Sequence, residues 1–167
     1  MQLPDAEALC ADLVRQLRPV LQADTAMVGI HTGGVWLAER LHRELGLTVP
    51  LGGIDISFYR DDYHTSGLHK SVKASQIPFE VQGRHILLVD DVLYTGRTVR
   101  AAMNELFDYG RPESISLVVL MDRGERQLPI CAQYAGGKIS VARGSMLRLD
   151  RNEKGQLTLR LDLEQDA

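Results

Sequence analysis

In PDAEALCADLVRQLRPVLQ, Leu9, Leu13, Leu17 and Leu21 stand four residues apart, with Val14 and Val20 beside that stripe. The spacing predicts an amphipathic helix over 4–22, and the acidic residues in its first turns suit a helix N-terminus. AMVGI, residues 26–30, is short and apolar and is bounded by HTGG, as a buried strand would be. GVWLAERLHRELG places Val35, Leu37, Leu41 and Leu45 on a helical period and meets a natural stop at Gly46. VPLGGIDISFY, 49–59, returns to strand character, which makes a strand–helix–strand unit of the parallel kind. A second unit follows. HILLVD reads as a strand. RTVRAAMNELFDYG reads as a helix with Val99, Ala102, Met103 and Leu106 on one side and Gly110 as its stop. ISLVVLM, 115–121, is another buried strand. From Asp122 onward, short apolar and polar stretches alternate and predict loops and small strands, with a charged end that frays. The alternation of strands and helices predicts an α/β fold over 1–167, one domain with a mostly parallel central sheet flanked by helices.

Residues 60–76, RDDYHTSGLHKSVKASQ, break the pattern, being polar and without a period. They form too long a connection for so small a domain unless the segment has a task. Arg60, His64, His69, Lys70 and Lys73 gather there in a chain whose formal net charge is -3, so a lid is preferred to an idle tip. That net charge argues against bulk nucleic-acid binding but leaves room for a local basic patch. Cys10 and Cys131 lack metal-type spacing and read as two reduced thiols. Pro4, Asp5, Glu7 and Asp12 are unlike a signal peptide, and no apolar run approaches the ~18 residues that span a bilayer. A cytoplasmic protein without membrane attachment is expected.

The chemistry concentrates in HILLVDDVLYTGRT, residues 85–98. In open α/β sheets, ligands sit outside the carboxyl ends of strands, where Asp90 and Asp91 fall. Val92, Leu93, Tyr94, Thr95, Gly96, Arg97 and Thr98 then lead into a helix, whose first amides and partial positive charge favour an anion. Gly96 lets the backbone approach that anion, and Thr95 and Thr98 add hydroxyl donors. A phosphate suits the loop and a polyol suits the two carboxylates, so a sugar phosphate satisfies both. No GxxxxGK[ST], GxGxxG after a strand, HExxH, GxSxG or CxxC competes with that reading.

LLVDDVLYTGRT resembles the phosphoribosyl-pyrophosphate motif of type I phosphoribosyltransferases. Together with VGIHTGG, DISFYRDD and GRPESISLVVLMDRGERQLPI, in that order with the motif, the chain resembles the PyrR family from about residue 6 to about residue 147. Members of that family are pyrimidine-operon attenuation regulators with uracil phosphoribosyltransferase activity. The resemblance implies the type I phosphoribosyltransferase fold, with a flexible lid loop at about 59–76 and a small hood at about 122–147 that includes part of the N-terminus. It implies that Asp90 and Asp91 bind the ribose hydroxyls and that residues 92–98 hold the 5-phosphate. His31, Thr32, Gly33 and Gly34 match the pyrophosphate loop, except that the better-known pattern Lys-Thr-Arg-Gly has an arginine where this chain has Gly33. Arg60 and Lys73 become candidates to reach the pyrophosphate. Asp122 and Arg123 mark the uracil region, under a hood around Tyr134 to Lys138.

The substrates so implied are uracil and 5-phosphoribosyl diphosphate, and the products are UMP and pyrophosphate. Mg²⁺ would be bound mainly through the diphosphate, with no protein ligand named. A homodimer or higher homo-oligomer is also implied. The second role implied is binding of a leader messenger RNA when UMP is present. The N-terminal helix supports that role unevenly, since Arg15 and Arg18 share it with Asp5, Glu7 and Asp12. Orotate or a purine remains an alternative base. Trp36 reads as core or dimer packing, and His42 and His85 as structural.

Overall fold

A computed structural model of the chain describes residues 1–57 and 75–163; Arg60, Lys73 and all but the last two residues of the lid predicted at about 59–76 lie outside the described residues. Helix α1 spans Ala6–Leu17 and opens on Asp5, whose carboxylate accepts the Glu7 N–H at 3.0 Å. It ends earlier than the leucine spacing suggests. Pro19 has no N–H to continue the ladder, and Arg18–Val20 winds into a 3-10 turn that leaves Val20 46% exposed. Strand β1 is Ala26–Ile30, and α2 is Gly33–Leu45, closed by Gly46 at φ 66. Strand β2 covers only Gly52–Ile54, because the Asp55 carboxylate accepts the Ser57 N–H at 3.0 Å and turns the chain. Then come β3 (His85–Leu93), α3 (Arg97–Asp108), β4 (Ser114–Asp122), β5 (Tyr134–Lys138), β6 (Ser145–Arg151) and β7 (Leu157–Leu163).

The first five strands form one parallel sheet in the order β2-β1-β3-β4-β5. The side-chain period of two divides each strand between two cores. Met27, Leu87, Val89, Val118 and Leu120 face α1 and α2. Val28, Ile30, Ile86, Leu88 and Val119 face Val99, Ala102 and Leu106 of α3. Such strands are apolar on both faces, which is why AMVGI and HILLV read as continuous apolar runs.

The segment expected as a hood, 122–147, contributes β5 to the main sheet and the start of β6 to a separate antiparallel pair with β7. That pair packs through Leu149 and Leu157 against the α1–α2 face. A polar clasp reinforces the contact. Glu7 pairs with Arg40 of α2 and also accepts the Leu157 N–H at 2.8 Å, while Arg40 donates to the Gly155 carbonyl at 3.0 Å. His42 Nε2 lies 2.7 Å from the Val49 carbonyl and His85 Nδ1 lies 2.8 Å from Ser114 Oγ. Trp36 packs at the edge of the first core with the Arg151 guanidinium 5.1 Å from its ring centroid. No described helix is long and apolar enough to cross a membrane.

The strand order reverses between β1 and β3. From β1 the chain crosses outward to β2, and from β3 it crosses to β4 on the other side. The loops that leave the carboxyl ends of β1 and β3 therefore diverge and open a crevice between them.

Candidate active site

Strand β3 does not stop at the acids. Its ladder continues with Asp90 opposite Val119, Val92 opposite Met121 and Leu93 opposite Asp122. Asp90 is only 3% exposed and its Oδ1 accepts the Asp91 N–H at 2.9 Å, while Asp91 Oδ1 accepts the Val92 N–H at 2.8 Å. Both carboxylates meet the start of α2. A Cβ on Gly33 would fall onto the Asp91 carboxylate, and one on Gly34 would stand 3.2 Å from Asp90 Oδ1. The N-terminus of α2 supplies amide dipoles at this point, which favour two neighbouring anions that would otherwise repel. Glycine at both positions is what allows the helix so close. At Gly34 an added Cβ would lie 2.6 Å from the Val89 carbonyl oxygen.

His31, Thr32, Gly33 and Gly34 thus form the other wall of the crevice. The His31–Thr32 peptide is cis. The His31 N–H donates to the Ile54 carbonyl at 2.8 Å, which fixes this loop to β2, and the Thr32 carbonyl accepts the Val35 N–H at 3.2 Å to start the helix.

On the β3 side, the predicted phosphate segment divides in three. Val92 and Leu93 are strand residues, with Leu93 buried in the α3-facing core. Tyr94, Thr95 and Gly96 make the turn. Arg97 and Thr98 begin α3, behind Gly96 at φ 95. Thr95 Oγ1 accepts the Arg97 N–H at 3.2 Å. Gly96 has no side chain to cap the helix, so an oxyanion at this end would take the place of a capping carboxylate.

Three successive carbonyls, of the last residue of β3 and the first two of this turn, are held from outside. Leu93 O accepts the Arg123 N–H at 3.0 Å, Tyr94 O accepts Arg126 Nη1 at 2.7 Å, and Thr95 O accepts the N–H groups of Gln127 at 2.9 Å and Leu128 at 3.1 Å. In a trans peptide the C=O and N–H point opposite ways. Fixing these carbonyls toward 123–128 directs the amides of residues 94–96 away from that segment. The side chain of Arg97 turns back along it, with Nε 2.8 Å from Gln127 Oε1.

Asp122 and Arg123 close the end of β4. Asp122 accepts the Gly124 N–H at 2.9 Å and Arg126 Nη2 at 2.7 Å. The Arg123 side chain turns inward and is 3% exposed. Its Nη1 donates to the Ser145 carbonyl at 2.7 Å, its Nη2 to Glu125 at 3.1 Å, and its guanidinium lies 3.9 Å from the centroid of the Tyr94 ring. Beside these residues is a cavity of about 310 Å³ lined by Asp122, Arg123, Gly124, Arg126, Lys138, Ile139 and Ser140. The predicted residues Asp90, Asp91, His31–Gly34 and 94–98 are therefore brought to one crevice, with Asp122 and Arg123 alongside. Sequence reasoning missed Arg126. DRGER holds one acceptor, Asp122, but nothing in the sequence marks the Tyr94 carbonyl, 32 residues earlier, that the second arginine also reaches. Among the described residues no group of three or more His, Cys, Asp or Glu is arranged to hold a metal ion.

The phosphoribosyl transferase domain family matches residues 2–143 of the chain. The bifunctional protein PyrR of Pseudomonas putida (strain W619) is 49% identical over 157 residues, which cover 89% of this chain and 89% of that protein. The bifunctional protein PyrR of Pseudomonas fluorescens is 45% identical over 168 residues, with 98% of each chain covered. Among solved structures, a hypoxanthine phosphoribosyltransferase from Staphylococcus aureus superposes with a TM-score of 0.65 at 24% identity, covering 84% of this chain and 77% of that one. A hypoxanthine-guanine phosphoribosyltransferase from Bacillus anthracis superposes with a TM-score of 0.66 at 22% identity over 83% of each chain. At those identities the two structures establish the fold alone.

Proposed function

The chain belongs to the phosphoribosyltransferase family, in the group of the bifunctional PyrR proteins, and from that premise we propose that it joins uracil to 5-phosphoribosyl diphosphate to make UMP and pyrophosphate. The observation that carries the reading is the pair of carboxylates, Asp90 and Asp91, against the start of α2 at the reversal of strand order. The 5-phosphate takes the turn 94–96 and the first amides of α3, the ribose hydroxyls take Asp90 and Asp91, and the diphosphate takes the loop 31–34. Uracil takes the cavity between Asp122–Arg126 and Lys138–Ser140. Both Asp122 oxygens and the two terminal nitrogens of Arg123 are engaged internally, while the buried Arg123 Nε has no hydrogen-bond partner, so backbone groups of this segment are the more available partners for the base.

In the reaction the bond from the anomeric carbon to the diphosphate oxygen breaks and a bond to uracil N1 forms, with the N1 proton leaving. As the diphosphate departs, positive charge develops on the sugar ring, and preorganised carboxylates beside it lower that barrier. The arginine of the better-known pyrophosphate loop has no room here, because any side chain at Gly33 would displace Asp91. Amides at the start of α2 are left to serve the diphosphate. Mg²⁺ would be carried mainly by diphosphate oxygens and water, beside the Asp90 and Asp91 carboxylates at the crevice. When bound, the ion would neutralise the leaving group.

The relatives are named bifunctional, which supports a second role as a UMP-responsive binder of leader messenger RNA. Of the two N-terminal arginines, Arg15 pairs with Asp12 at 2.9 Å and Arg18 donates to the Glu44 carbonyl at 3.1 Å, both exposed contacts that RNA phosphates can compete with. Titration with leader RNA should give salt-sensitive, UMP-enhanced binding; equal affinity for a scrambled RNA removes the role. For the enzyme, UMP formation should need Mg²⁺ and fall by roughly 100-fold or more in Asp91→Asn. Full turnover in that variant overturns the carboxylate assignment.

A further inference from the structure

We infer that Arg126 is a positioning residue for the 5-phosphate: its guanidinium ties the phosphate turn to the end of β4 and so aims the turn's amides. The inference rests on the phosphate site proposed above and adds the residue that builds it. All three faces of the fork are used. Nε donates to the Ile130 carbonyl at 2.8 Å, Nη1 to the Tyr94 carbonyl at 2.7 Å and Nη2 to Asp122 Oδ2 at 2.7 Å. The three acceptors belong to a loop, to the phosphate turn and to the last residue of a central strand. Only a planar, rigid donor reaches all three at once; a lysine ammonium is a single point.

The surroundings show why the bond to Tyr94 matters. Arg123 covers the ring of the same tyrosine, so one arginine holds the Tyr94 side chain and the other holds its backbone. Behind the turn, Ile130 fills the space next to Gly96, where an added Cβ would stand 2.9 Å from Ile130 Cγ1. Arg126 anchors the carbonyl of that same Ile130. The segment 123–130 is therefore a brace molded to the outer side of the phosphate turn, and Arg126 is its crosslink. The Arg126 and Asp122 side chains are only 23% and 12% exposed, so the pair is shielded from competing water. Without Nη1 the Tyr94 carbonyl loses a charged donor, and the peptide carrying the Thr95 amide is free to rotate.

The test compares UMP with uridine, which share base and ribose and differ in the phosphate. Isothermal titration of the full chain is run on wild type, Arg126→Gln and Arg126→Lys. Loss of one charged hydrogen bond in a shielded site corresponds to about ten-fold or more in affinity. Because Arg126 also lines the base cavity, the readout is the difference: Arg126→Gln should weaken UMP binding at least about ten-fold more than it weakens uridine binding. The KM for 5-phosphoribosyl diphosphate should rise with kcat little changed, and Arg126→Lys should recover only part of the loss. If Arg126→Gln does not fold, Asp122→Asn keeps the donor to Tyr94 but frees the fork, and a smaller loss that is greater for UMP than for uridine is expected. Equal losses for UMP and uridine would assign Arg126 to the base cavity and overturn the inference, as would unchanged UMP affinity. A wild type that binds uridine and UMP equally would instead defeat the phosphate site itself.

Discussion

Gly33→Ala tests the crevice with a single methyl group. The new Cβ would fall onto the Asp91 carboxylate, and its nearest other contact is Asp91 Cβ at 3.1 Å. The obstacle is the end of a side chain, which can rotate aside. Holding it off its preferred rotamer costs about 0.5–1.5 kcal/mol, and at this chain length about 2–4 °C of Tm goes with each kcal/mol. A loss of only a few degrees is expected. Catalysis should suffer far more, since misplacing a reacting group by about 1 Å costs on the order of 100-fold. Gly34→Ala is the counterpart. Its methyl would lie 2.6 Å from the Val89 carbonyl oxygen and 3.1 Å from the Asp90 Cα, backbone atoms of the central strand that cannot swing away. Helix α2 must lift from β3, an overpacking cost of about 1–3 kcal/mol or more. Thermal melts and initial rates of UMP formation on both variants give the comparison. The expected pattern is a nearly native melt with a large drop in kcat/KM for Gly33→Ala, and a clearly lowered melt for Gly34→Ala. A Gly33→Ala protein with native kcat/KM would refute the argument, because Asp91 would then be free to move without consequence.

Two other expectations follow from buried or paired groups. The Arg40 guanidinium holds the Glu7 carboxyl below its ordinary value of 4.5, so the clasp between α1, α2 and the β6–β7 pair is complete above that pH and is lost as pH falls through the lowered value. In thermal melts Glu7→Gln should be less stable than wild type at pH 7, with the gap closing in acid; a gap constant with pH contradicts the clasp. Burial pushes the Cys10 thiol up to about 12, whereas Cys131 is exposed. A thiol reagent at pH 8 should count one fast cysteine in the native protein and two after denaturation, and two fast cysteines without denaturant would place Cys10 elsewhere.

The central strands were legible because burial on both faces makes a strand read as an apolar run, as in AMVGI and HILLV. The helices were legible from leucines at a period near 3.6 and from Gly46. What the linear pattern misplaced depends on tertiary partners. Strand β3 runs on through Asp90 and Asp91, which look like a terminus until the start of α2 is brought against them. Strand β5 contains Gly136 and Gly137, poor strand formers, which suit the close approach of Leu9 from α1: a Cβ on Gly136 would stand 3.1 Å from the Leu9 Cβ. Of the site, the acids and the phosphate turn were legible because their residue types carry the chemistry themselves. Arg126 was not, because its significance lies in the Tyr94 carbonyl, 32 residues away along the chain.

A crystal structure of the chain with UMP bears most directly on the crevice between β1 and β3. The phosphate should lie among the amides of residues 94–98, the ribose hydroxyls within hydrogen-bonding distance of Asp90 or Asp91, and the uracil in the cavity beside Arg123 and Lys138. A nucleotide bound with its ribose away from both carboxylates, or with its phosphate anywhere but the start of α3, would contradict the assignment.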